Sequence, residues 1–141
     1  MAMLPFCGYS MGDYFAHWLN MGKRMTNPPK IFSVNWFRQD DNGKFMWPGF
    51  GDNIRVLEWI IKRVNGNAKG RRTPIGIVPN IEELNLTGLS IGKENMEKLF
   101  EVNPKEWKNE LEDVKIFLRQ FADKMPQEMW QQYKDMETQL S

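Results

Sequence analysis

Asn35-Trp36-Phe37-Arg38-Gln39-Asp40-Asp41-Asn42-Gly43-Lys44-Phe45-Met46-Trp47-Pro48-Gly49-Phe50-Gly51-Asp52-Asn53 is the stretch on which the reading of this chain turns. Trp36, Phe37, Phe45, Trp47 and Phe50 fall within fifteen consecutive residues, interleaved with Gly43, Pro48, Gly49 and Gly51. Upstream, Ile31-Phe32-Ser33-Val34-Asn35-Trp36-Phe37 alternates and is rich in strand formers, so a strand is expected over 31–37. Asp41-Asn42-Gly43 is a turn signal, and Lys44 to Trp47 reads as the returning strand of a hairpin across 31–47. Loop length decides which rings share a face. A two-residue Asn42-Gly43 turn pairs Phe37 with Pro48 and puts Phe37 and Phe45 on opposite faces. A three-residue Asp41-Asn42-Gly43 loop, with Gly43 in the left-handed region, pairs Phe37 with Trp47 and puts both phenylalanines on one face. The second register is the expected one if both rings serve one pocket.

Outward from this hairpin the chain alternates helices and loops. Ser10 with Asp13 resembles a capping box, and Met11, Phe15, Trp18 and Leu19 recur at helical spacing until Gly22, so a helix is expected over 11–21. Asn27-Pro28-Pro29 marks a connecting loop. After Gly51, Asp52 is placed to cap a helix over 53–65, with Ile54, Leu57, Ile61 and Val64 as its buried stripe and Glu58 and Lys62 as an outward pair. Asn67 to Arg72 reads as a polar loop, Pro74 to Pro79 as a short extended piece, and Asn80 to Gly92 as irregular. Asn103-Pro104-Lys105-Glu106 combines an N-cap, a proline at the first helical position and a capping glutamate, and opens a helix over 104–122. Pro126 opens a last helix over 126–139, carrying Met129, Tyr133 and Met136 with Leu140 just beyond. The stripes of these C-terminal helices are packing surfaces. The fold class is mixed α+β, and residues 1–141 are read as one unit.

Composition narrows the function. Nineteen Lys and Arg against 18 Asp and Glu give a net charge of +1, so no basic excess speaks for nucleic acid or an anionic membrane. No run approaches the roughly 20 apolar residues needed to span a bilayer, and Met1 to Gly12 does not read as a leader, so the expected setting is the cytoplasm. One cysteine, Cys7, forms no internal disulfide, and one histidine, His17, builds no histidine-rich metal site. Both read as structural residues, Cys7 as a small buried side chain.

Aromatic rings on a hairpin that feeds a glycine loop and then a helix start are suited to a flat heterocycle. Stacking a base on an aromatic ring contributes about 1–3 kcal/mol but does not choose the base. Choice requires hydrogen-bonding groups at the ring edge, and the unpaired N–H groups of a helix start suit an acceptor such as the O6 of guanine. The plain structural alternative is that such rings pack against neighbouring helices, and Trp36 and Trp47, flanked by apolar residues, read as core. Gly49-Phe50-Gly51 is not a phosphate loop, because neither the Walker spacing nor its lysine occurs.

Val34-Asn35-Trp36-Phe37-Arg38 and Phe45-Met46-Trp47-Pro48-Gly49-Phe50-Gly51-Asp52-Asn53 closely resemble the guanine-binding region of GTP-dependent phosphoenolpyruvate carboxykinases. The resemblance extends upstream through Ala2-Met3-Leu4-Pro5-Phe6, Gly8-Tyr9 and His17-Trp18-Leu19, and downstream through Arg55-Val56-Leu57 and Thr73-Pro74-Ile75-Gly76, and loosens from Ile81 onward. It implies the C-terminal portion of the carboxykinase fold, with Phe37, Phe45 and Phe50 around the guanine and Asn53 helping to read its edge. Asp52 stands where the family usually has glutamate, and Ser10 follows Tyr9 where asparagine is usual. The implied reaction converts oxaloacetate and GTP to phosphoenolpyruvate, GDP and carbon dioxide in gluconeogenesis, with manganese or magnesium. The family's phosphate loop, metal ligands, substrate arginines and lid are not among the motifs here, so the ions' ligands are expected outside this chain. The expected partners are a guanine nucleotide, oxaloacetate or phosphoenolpyruvate in the complete enzyme, and that enzyme's N-terminal portion. The isolated chain is expected to be inactive. Two alternatives from other classes are a free-standing guanine-binding module and a protein-interaction surface made by the exposed rings.

Overall fold

The computed structural model describes residues 4–141; Ala2 and Met3, which open the upstream part of the resemblance, lie outside that range. Two compact units emerge. One joins the segment ending at Pro29 to Asn103–Ser141, and the other is Lys30–Val102. The elements are mixed α+β, as expected from the sequence.

The first unit contains α1 (Met11–Arg24), α4 (Pro104–Arg119) and α5 (Gln127–Gln139). Both expected caps form. The Ser10 hydroxyl accepts from Gly12 N at 3.3 Å, and the Asn103 carboxamide accepts from Lys105 N at 3.0 Å. Gly22 does not end α1, which runs on to Arg24, because its backbone is already helical and nothing forces a left-handed turn there. Leu111, Leu118, Met125, Tyr133 and Leu140 form the core, with Phe15, Trp107 and Phe121 packed against it. The Phe15 and Phe121 rings meet edge to face at 6.3 Å. The C-terminal stripes thus pack as read, although Val114 of the same stripe is largely exposed. Cys7 is half-buried rather than buried, on a short turn that leaves it near the surface, and His17 is exposed.

The second unit holds α2 (Asn53–Val64), the antiparallel pair β1 (Gly70–Thr73) and β2 (Gly76–Pro79), and α3 (Lys93–Leu99). Its core is Trp47, Trp59, Ala68, Leu84 and Met96, with Phe32, Trp36, Val56 and Ile60 against it. Three expectations need correction. No strand forms over 31–37, because the Asn35 side chain accepts from Phe37 N at 2.9 Å and bends the chain; only one bridge, Gln39 with Phe45, remains of the hairpin. The paired strands lie further on: β1 forms where Asn67 to Arg72 reads as loop, and β2 falls within the extended piece expected over Pro74 to Pro79. The stripe expected to be buried on α2 faces outward: Ile54, Leu57, Ile61 and Val64 are all exposed, whereas Trp59 is 3% exposed with Val56 and Ile60 beside it. The outward Glu58–Lys62 pair does form, at 2.7 Å. α3 was not foreseen, since Met96 is its one buried side chain and leaves no apolar period to read.

Candidate functional site

The turn between the aromatic rings is built by Asp40. Its Oδ1 accepts from Asn42 N at 2.9 Å and from Lys44 N at 3.0 Å, while its backbone N–H donates to the Lys44 carbonyl at 2.9 Å. Gly43 sits at φ +75°, the left-handed region a side chain resists. This is the three-residue Asp41-Asn42-Gly43 loop, and Met46 N donating to the Arg38 carbonyl continues its register. Phe37 and Phe45 consequently stand on one side, with ring centroids 5.9 Å apart at 63°. The ring before the turn is anchored from behind: Arg38 Nη1 donates to the carbonyls of Leu99 at 3.3 Å and Glu101 at 3.2 Å, at the end of α3. Nearby, hydrogen bonding and the charge of Glu94 raise the pKa of Lys98 above its ordinary value, with smaller help from Asp41 and Asp40.

After Trp47 the chain passes through Gly49, at φ +109°, into a 3-10 turn, Phe50–Asp52, that leads straight into α2. The Phe50 ring is 96% exposed, Phe37 71% and Phe45 53%, so large apolar faces meet solvent. Trp47, in contrast, is 6% exposed and belongs to the core, as its apolar neighbours suggested, and Trp36 is packed against the same cluster. Asp52 occupies the N-cap position of α2 without capping it. The 3-10 turn gives it helical φ and ψ, and its carboxylate instead takes Arg55 Nε at 2.8 Å, while Arg55 Nη1 reaches the Asn85 carbonyl at 2.6 Å.

Asn53, the first residue of α2, is half-buried, and its Oδ1 accepts from the indole N–H of Trp47 at 2.9 Å. Sequence reasoning did not anticipate this bond, because a six-residue side-chain contact depends on how the intervening 3-10 turn folds back. The roles of Asp40 and Arg38 were also missed, though aspartate before Asn-Gly is a recognisable turn builder. Phe37 and Phe45 are thus brought into contact, and Phe50 and Asn53 share the turn that opens α2. The two concavities outlined along α4 and α5 include none of these four residues. No three His, Cys, Asp or Glu side chains converge among the described residues.

What the fold and this surface define first is a class: a mixed α+β domain that presents exposed aromatic rings at a helix start. The family follows from comparison. Residues 1–139 match the family described as the phosphoenolpyruvate carboxykinase C-terminal P-loop domain, and the chain belongs to that family. It is 44% identical over 140 residues to the phosphoenolpyruvate carboxykinase [GTP] of Chlamydia muridarum, covering 99% of this chain and 23% of that protein. To the protein of the same name from Thermoplasma volcanium it is 45% identical over 134 residues, covering 95% of this chain and 22% of that protein. A third, from Chlamydia pneumoniae, is 44% identical over 141 residues, with 99% and 24% covered. The chain therefore spans about a quarter of the length of the curated relatives it matches. Among the described residues no helix is long and apolar enough to cross a membrane.

Proposed function

We propose that this segment is the guanine-holding part of a GTP-dependent phosphoenolpyruvate carboxykinase, with Phe37, Phe45 and Phe50 contributing ring faces and Asn53 an edge contact. The supporting observation is the trio of exposed phenylalanines, Phe37, Phe45 and Phe50, grouped beside a helix start, while Trp47 and Trp59 of the same unit are buried. An exposed ring face offers stacking to any base; the amide at the helix start supplies the choice.

In this reading the segment works within a longer cytoplasmic enzyme that converts oxaloacetate and GTP to phosphoenolpyruvate, GDP and carbon dioxide in gluconeogenesis. The segment orients the nucleotide, and phosphoryl transfer belongs to residues elsewhere. The manganese or magnesium ion of that reaction is expected to take its ligands from the rest of the enzyme; among the described residues no three His, Cys, Asp or Glu side chains come together. No catalytic step is assigned to this chain. The test is an equilibrium titration of the chain with GDP and ADP: tighter binding of GDP is expected, and equal affinities would overturn the reading. In a coupled assay with GTP, oxaloacetate and manganese, the chain alone is expected to give no turnover above background.

A further inference from the structure

The hydrogen bond between Trp47 and Asn53 carries information beyond packing. An indole N–H only donates, so the end of the Asn53 carboxamide that meets it at 2.9 Å is the oxygen. The NH2 end is thereby the one directed away from Trp47. An unrestrained asparagine can rotate its amide and offer either a donor or an acceptor. This one is held by a ring that is 6% exposed and packed with Trp59, Ala68, Leu84 and Met96. The core thus sets which end of the amide is available three residues beyond the exposed Phe50 ring.

A 6-oxo purine, such as guanine or hypoxanthine, presents an acceptor at position 6, whereas adenine presents an amino donor. A fixed NH2 matches the first and opposes the second. We propose that Trp47 is a positioning residue that confers preference for 6-oxo purines by holding Asn53 with its donor end outward. This rests on the reading that Asn53 meets the base edge, and the test separates the two.

The experiment measures binding of GDP, IDP and ADP to the full chain and to four variants, with thermal unfolding followed in parallel. Trp47→Phe keeps most of the ring and removes the donor. It is expected to lower the GDP-to-ADP preference about tenfold, through weaker GDP and IDP binding and unchanged or tighter ADP binding. Asn53→Ala is expected to lower the preference similarly, and the double variant no further, which a general packing defect would not reproduce. Asn53→Asp keeps an acceptor for Trp47 but replaces the outward NH2 by an oxygen, and is expected to turn the preference toward ADP. If Trp47→Phe keeps the wild-type ratio while Asn53→Ala collapses it, the proposal is wrong and the base-edge reading stands. If Asn53→Ala also leaves the ratio unchanged, the base-edge reading falls and the proposal with it. Should Trp47→Phe fail to fold, Asn53→Asp decides alone: a preserved GDP preference overturns the proposal.

Discussion

Phe50 is the residue where ligand contact and stability separate most cleanly. Its ring is 96% exposed, so Phe50→Ala removes almost no buried area and should leave the unfolding temperature unchanged. Losing one stacking face should nevertheless cost about 1–3 kcal/mol of GDP binding, a factor of about 5 to 150, read by titration of the variant. Asp40 should behave in the opposite sense. Its carboxylate holds the Asn42 and Lys44 amides. Asp40→Ala should loosen the turn by about 1–2 kcal/mol, seen as faster hydrogen exchange at those two amides, and should lower GDP affinity by freeing Phe37 from Phe45. Asp41-Asn42-Gly43 marks the turn but leaves two registers open, since both place Gly43 in the left-handed region; the three-residue one is favoured only if Phe37 and Phe45 serve one pocket, and Asp40 is what fixes it. The exposure of three phenylalanines and the burial of Trp47 could be suspected from their neighbours. The Trp47–Asn53 bond was not legible, because it belongs to a fold-back that no local rule specifies.

Two glycines of α1 make a matched pair of predictions. A Cβ on Gly12 would lie 2.5 Å from the Lys124 carbonyl oxygen, whereas one on Gly22 would meet nothing within 4 Å. Alanine is the better helix former by about 1 kcal/mol, so Gly22→Ala should stabilise by about 0.5–1 kcal/mol. Gly12→Ala should destabilise by about 1–3 kcal/mol despite the same propensity gain, since backbone must shift to admit the methyl group. Chemical denaturation of both variants checks the sign. Helices with a distinct start were readable in this way: Ser10 and Asn103 accept amide hydrogens where their positions implied. α2 was readable as a helix but not as to which side is buried. Its sequence carries apolar residues on two faces, and Trp59, with its indole N–H donating to the Lys69 carbonyl at 3.1 Å, decides for the other one. The strand expected over 31–37 failed for a related reason. Alternation describes a surface able to pair, and Asn35 bends the chain before a partner is met. Of the true pair, Gly76–Pro79 lies in the piece that reads as extended, whereas Gly70–Thr73 hides because it is short and its centre is Arg71 and Arg72, both exposed.

For the whole molecule, the outward stripe of α2 sets how the chain behaves alone. Ile54 is 63% and Ile61 61% exposed on the same helix face as Leu57 and Val64. The chain by itself should therefore self-associate as concentration rises, and Ile61→Lys should reduce that association in sedimentation without lowering the unfolding temperature. The division into two units has another consequence, in the order of synthesis. The Lys30–Val102 unit is continuous in sequence, but the other is assembled from segments on either side of it. On a ribosome, Phe15 emerges long before the Phe121 ring it meets and before the helix that supplies Tyr133. The middle unit can close while the opening helix still waits. The α1 segment, made before the middle unit, thus finds its place after it, and during that interval its apolar side chains are exposed to whatever binds nascent polypeptide.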